Sequence, residues 1–443
     1  MNIQLSEHFT YGKLIKFTLP TIVMMIFTSL YGIVDGIFVS NCVGSEPFAA
    51  LNLIWPVIMI FGSVGFMIGT GGSALVSKTI GEGQKEKANK YFSMLIFLLI
   101  IIGTIFSIAG RIFIKPIAEL LGADETMLAD CVTYGQTLLI FLVPFMLQNS
   151  FQSFMIVAEK PTMGLIISII AGVTNMVLDF VLMYVLKLGL FGAALATGIS
   201  QTFGALVPLV YFIRKNNSAL KITKTKFELK PILKSCLNGS SEMLTNLSLS
   251  VVNILFNMQL MEYAGSEGVV AYGIIMYVGF IFIGTYLGYS IGTAPIIGYH
   301  YGAKNTEELK GLLKKSLKLI GIAAVVMTLL AEILSSLLAS IFVSYSAELM
   351  EFTTRAIRIY SISYLLSGFN IFTSSFFTAL NDGLVSALIS FLRTLVFQII
   401  MILVLPMIWG IDGIWLTVTF AESLSFVVCA ICLILNKKKY NYA

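Results

Sequence analysis

Charge is what this sequence lacks most. Only 12% of its 443 residues are Asp, Glu, Lys or Arg, about half the roughly 25% found in soluble domains. That deficit argues against a water-exposed globule, because even a very large core needs a charged surface. Histidine is almost missing, with only His8 and His300. The five cysteines, Cys42, Cys131, Cys236, Cys429 and Cys432, are scattered and suggest neither a disulfide framework nor a metal site. No HExxH or GxxxxGK-S/T pattern occurs, so zinc-peptidase and nucleotide-driven chemistry have no foothold. Any energy-requiring activity would then have to draw on an ion gradient, a partner or a solute's own gradient. The net charge of +5 reads as membrane topology, not as affinity for nucleic acid.

Apolar residues fill the chain instead, at 57%. They form runs of about twenty residues or more, each able to cross a hydrocarbon core about 30 Å thick. The runs predict spans at roughly 13–42, 51–77, 91–116, 128–157, 162–186, 190–213, 232–262, 268–299, 312–343, 349–379, 384–408 and 412–435. The opening stretch MNIQLSEHFTYGKLIKF is polar to amphipathic, so no cleavable leader is expected. One connector is longer and basic, RKNNSALKITKTKFELKP at 214–231. The expected organisation is an N-terminal six-helix half at 1–213, a cytoplasmic linker at 214–231 and a C-terminal six-helix half at 232–443. The fold class is an all-α integral membrane protein, twelve transmembrane helices in two pseudo-symmetric halves. Of the 28 Lys and Arg, 22 fall on the side of the termini, five on the other, and Arg393 inside a span. That bias puts both termini in the cytoplasm, and an even number of spans agrees.

The halves resemble each other. Val34, Asp35 and Phe38 match Val252, Asn253 and Phe256 at an offset of 218. An offset of 221 aligns Gly44-Ser45-Glu46 with Gly265-Ser266-Glu267, Gly81 with Gly302, and Asn149 with Asn370. It also aligns Ala158 with Ala379, Gly189 with Gly410, Gly192 with Gly413, and Gln201 with Glu422. Six spans per half give both halves one orientation, the parallel-repeat plan of some secondary transporters.

Carboxylates inside spans are costly and are functional candidates by default. Asp35, Asp179, Glu332 and Glu422 are the clear cases, with Glu242 nearer an end. Asn175 and Asp179 are spaced i, i+4 and share a helix face. If the first, fifth and sixth spans meet, Asp35, Asn175, Asp179 and Thr197 offer only oxygen-type ligands, suited to Na⁺ or a proton. Asp35 aligns with Asn253 and Asp179 with an apolar residue near Ile400, so the acidic pair belongs to the first half alone. Arg393 is expected to pair with an acid or with backbone carbonyls. Glu242 is a candidate for the lower part of a cavity. Tyr31, Tyr134, Met155, Tyr272, Met276 and Tyr277 offer aromatic and thioether surface for an adaptable pocket, although helix packing alone would also account for any one of them. GTGGS at 69–73 reads as close helix packing.

Taken in order, several segments resemble the MATE (multidrug and toxic compound extrusion) family, particularly its bacterial members. They are Pro20 and Asp35 in the first span, GEGQKEKA at 81–88, LLGADE at 120–125, Gln148-Asn149, Asn175-x3-Asp179 and IIGYHYGAKN at 296–305. The resemblance covers essentially the whole chain. It implies a monomeric, polyspecific exporter in a bacterial plasma membrane that expels small amphipathic or cationic compounds while Na⁺ or H⁺ enters. It needs no nucleotide, nucleic acid, cofactor or metal beyond Na⁺. Asp35, Asn175, Asp179 and Thr197 match the family's N-half cation site, with Asn149 nearby, and Gln148 joins the candidate cavity residues. A lipid-linked precursor flippase shares the architecture, but would be expected to carry more cationic residues than Arg393 in its cavity. An intramembrane enzyme or a receptor is a further alternative, disfavoured by the internal repeat and the missing catalytic constellation.

Overall fold

A computed structural model describes residues 3–43 and 45–442. Its described elements are all helical, as they must be where lipid cannot satisfy backbone amides and carbonyls. The first half holds α1 (Tyr11–Val43), α2 (Ser45–Gly81), α3 (Lys85–Leu120), α4 (Glu125–Ile140), α5 (Leu142–Val157), α6 (Pro161–Asp179) and α7 (Gly189–Ile213). The second holds α8 (Leu229–Gly302), α9 (Thr306–Val343), α10 (Ala347–Ser361), α11 (Tyr364–Ala379), α12 (Gly383–Phe391), α13 (Phe397–Trp409) and α14 (Ile411–Tyr440). One π-helical segment, Phe180–Val185, extends α6, and another, Leu392–Val396, joins α12 to α13.

Nine described helices are long and apolar enough to cross a bilayer, ten with the bent α4–α5 pair taken as one span. Two features bring this to the expected twelve. At 74 residues, α8 is about twice the length of a span and reverses at Gly265, where φ is 60° and ψ −151°. The α10–α11 pair makes the other crossing, and the charges of Glu348, Glu351, Arg355 and Arg358 lower its hydropathy.

The repeat is visible in the backbone. Gly189 and Gly410, aligned in sequence, both take positive φ, 56° and 58°, and each starts the last span of its half. A methyl group placed on Gly81 would lie 2.0 Å from the Tyr299 carbonyl oxygen. One placed on Gly302 would lie 2.0 Å from that of Lys78. These contacts are reciprocal, since the offset of 221 carries Gly81 to Gly302 and Lys78 to Tyr299. Deeper in the bundle, Gly239 approaches the Met67 carbonyl at 1.8 Å and Gly288 that of Thr21 at 2.8 Å, measured the same way. The two halves are thus pressed together, backbone to backbone, near the face that carries the termini.

Each half also has a leading strap that crosses to the other. Ahead of α1, the Leu5 amide donates to Glu159 (2.8 Å) in the first half, and the Phe9 amide to Glu308 (2.9 Å) in the second. Ahead of α8, the Lys221 amide donates to Asn89 (2.9 Å) and the Thr223 amide to Ser93 (2.8 Å), both on α3. A separate apolar cluster fills this face, with Leu5, Phe9 and Phe17 against Ile156, Tyr289, Phe372 and Tyr442. Of the other two clusters, one stays within the second half, and the other lies in the first half but also takes in Leu220 of the linker and packs against Ile232 of α8. Asp382 closes the same face, accepting from Lys439 (2.8 Å) and from Tyr440. Burial raises its pKa, but those two donors outweigh it and hold the carboxyl below the ordinary range.

Candidate functional site

Burial without partners marks the polar centre of the first half. Asp179 is fully buried and is the last residue before the π-helical segment Phe180–Val185. Such wide turns recur at functional sites. Asn175, one turn earlier, is also buried and shares the face of Asp179. Packing of α1 along α6 brings Asp35 against Asp179, and the two carboxylates interact directly. Both oxygens of Asp179, Oδ1 of Asp35 and both polar atoms of Asn175 nevertheless lack a hydrogen-bond partner. Two bare carboxylates about 4 Å apart repel by about 4 kcal/mol at an effective dielectric of 20. A shared proton or a nearby cation would relieve that repulsion.

Two tyrosines surround the pair. Tyr31, packed beside Gly172 of α6, is within electrostatic reach of Asp35. Tyr134 of α4 is within reach of both acids. Sequence reasoning did not attach Tyr134 to the acidic pair, because one tyrosine among 18 carries no distinguishing spacing. Among the described residues no cluster of three or more His, Cys, Asp or Glu is placed to hold a metal. Two carboxylates and an amide suit a monovalent ion instead.

The other candidates lie further off. Thr197 is half-buried on α7, which packs on α6, but no hydrogen bond from its hydroxyl to the acidic pair is observed. Asn149 is buried on α5, its carbonyl facing Gly69 of α2 and its Nδ2 unpartnered. Gln148 and Met155 line a crevice of about 10 Å³ with Gly164, Ile167 and Gly204, room for about one water. Tyr272 stacks on Phe256 at 4.8 Å and donates to Asn253 at 2.8 Å. Met276 is half-buried on α8, in the core of the second half.

The second half has a polar centre of opposite character. Arg393, within the π-helical segment Leu392–Val396, donates from Nε to both oxygens of Glu422 at 2.9 and 3.0 Å. Its Nη2 lies 2.8 Å from Oε1, and Asn370 donates to Oε2 at 2.6 Å. Glu242 is within electrostatic reach of Arg393. Glu332 accepts from the Ser361 hydroxyl at 3.0 Å. Of the two partners expected for Arg393, the structure shows the acid. Cys429 and Cys432 form a C-x-x-C spacing overlooked in the sequence; on α14 both remain unpaired thiols. The Glu422 network carries a stability prediction. Glu422→Ala leaves a buried guanidinium unpaired and should cost about 3–5 kcal/mol. Thermal unfolding in detergent micelles measures it, and Glu422→Gln, which keeps an acceptor oxygen, should lose less.

The repeated bundle agrees with comparison to known proteins. A family model described as MatE matches residues 20–181 and again 242–404. The chain belongs to the MATE family. MATE members are transporters and not enzymes, so the catalytic alternative falls away. This MATE chain is 24% identical over 426 residues to the multidrug export protein MepA of Staphylococcus aureus, covering 94% of this chain and 91% of that one. MepA of Staphylococcus saprophyticus is 24% identical over 436 residues, covering 96% and 93%. Among solved structures, an outward-facing multidrug resistance MATE transporter superposes with a TM-score of 0.93 at 23% identity, covering 100% of this chain and 99% of that one. A MATE in complex with MaL6 gives 0.93 at 22%, covering 98% of each. The resemblance read from the sequence and the all-helical membrane fold are both upheld.

Proposed function

We propose that this MATE transporter is a cation-coupled antiporter that exports amphipathic, often cationic compounds by alternating access. The observation that carries this reading is the pair of buried Asp179 and half-buried Asp35, three of whose carboxylate oxygens are buried without a partner and call for H⁺ or Na⁺. Asn175 adds an amide on the same helical face, and Thr197 and Asn149 stand on the neighbouring helices α7 and α5. The multidrug export role named for the staphylococcal relatives supports the substrate class. The 22-to-five distribution of Lys and Arg supports cytoplasmic termini in a bacterial plasma membrane. With that orientation, closure at the terminal face makes this the outward-facing state. The lead reading gains over a lipid-linked precursor flippase because Arg393 is already neutralised by Glu422 and offers no free cation to a pyrophosphate. The test is efflux of a fluorescent organic cation from proteoliposomes under separately imposed Na⁺ and H⁺ gradients. One gradient should drive uphill movement; uphill movement with neither, or with ATP alone, overturns the proposal.

A further inference from the structure

At the terminal face, just outside the Gly71–Ser235 contact between the halves, lies a cleft of about 350 Å³. It is lined by Lys78 and Lys87 from the first half and by Lys230 and Lys234 from the second, against Glu82 and Glu228. Lys78 sits 3.7 Å from Glu82 and over the ring of Tyr301. No ion pair engages Lys87, Lys230 or half-buried Lys234 among the described residues. The cleft is therefore a cation-rich space whose walls come from both halves and exist together only when this face is closed.

Its surroundings say what kind of anion fits. On α8, Leu229, Leu233 and Leu237 repeat every four residues beside the lysines and are 71%, 58% and 44% exposed. Phe227 adjoins them and is also exposed. A phosphate pocket bordered by an outward apolar stripe matches an amphiphile with its headgroup in the cleft and its chains along the helix. Basic pockets between transmembrane helices are a recognised way to hold anionic headgroups.

We infer that this cleft binds the phosphate headgroup of an anionic phospholipid from the adjoining leaflet. The lipid braces the two halves in the closed state, because a ligand that fits one conformation shifts the population toward it. Thermal unfolding of the full chain in micelles tests this, with added short-chain phosphatidylglycerol, phosphatidylcholine or inorganic phosphate. Phosphatidylglycerol should raise the midpoint of the wild type by several degrees and phosphatidylcholine should not. The double variant Lys230→Gln/Lys234→Gln should lose most of that shift, and Lys437→Gln/Lys438→Gln, which removes exposed charges outside the cleft, should keep it. Native mass spectrometry provides a readout independent of the variant's stability: the wild type should retain one more anionic lipid than the cleft variant. An equal shift in all three proteins, or equal lipid counts, overturns the site. A shift produced in full by inorganic phosphate overturns the lipid assignment and leaves a soluble anion as the occupant.

Discussion

Asp35→Asn should reduce gradient-driven efflux to the background of empty liposomes while the protein still inserts and folds. The side chain keeps its size and one acceptor oxygen, so packing of α1 on α6 has little reason to change. What disappears is the second negative charge beside Asp179. With one carboxylate left, mutual repulsion no longer makes occupation by H⁺ or Na⁺ obligatory, and the energetic link between ion and conformation is cut.

The same substitution makes a second readout diagnostic. In the proposed antiporter, ion and substrate oppose each other, and the penalty is reciprocal by linkage. Such couplings are typically about 1–3 kcal/mol, or about 5–150-fold in affinity. Titrating a fluorescent cation at rising proton or sodium concentration should therefore show weakening affinity for the wild type. The Asp35→Asn titration should be flat. A variant that still pumps at the wild-type rate, or whose affinity still follows the ion, would remove Asp35 from the coupling mechanism.

The sequence alone carried the architecture because lipid leaves little latitude. Apolar runs of span length become helices, six spans per half give the halves one orientation, and the offset of 221 makes Gly189 equivalent to Gly410. The acidic pair was legible for the same reason: a carboxylate in an apolar run has a cost that points to a role. Other features were hidden because they depend on where helices meet. Tyr134 lies far from Asp35 and Asp179 in sequence and joins them only through packing. Gln148 and Met155 are polar and thioether residues at plausible heights, yet the approach of α5, α6 and α7 leaves them about 10 Å³. Arg393 and Glu422 looked like separate oddities, and the bidentate geometry shows one neutral unit. GTGGS read correctly as close packing, but its partner across the interface, the start of α8, was not visible from composition.

That interface predicts the other large effect. Gly302→Val should abolish transport, though by blocking a conformation and not by removing a ligand. At the closed terminal face the added Cβ would meet the Lys78 carbonyl oxygen at 2.0 Å and the Lys78 Cα at 3.0 Å. These are backbone atoms of α2 and cannot rotate away. The only relief is for the halves to part, so the variant should populate the state in which this face is open. Gly81→Val should do the same through the Tyr299 carbonyl, 2.0 Å from its Cβ. Gly12 is a matched control, on the same face but with open space where its Cβ would go; Gly12→Ala should transport normally. Spin labels or a fluorophore pair placed on Lys85, which starts α3, and on Lys310, in the second turn of α9 on the opposite half, would report the separation. Both valine variants should show a longer distance than the wild type, and substrate should no longer shorten it. Because the two contacts are related by the repeat, one substitution should already saturate the effect, and the double variant should add little. An unchanged distance together with lost transport would mean the glycines serve folding and not closure.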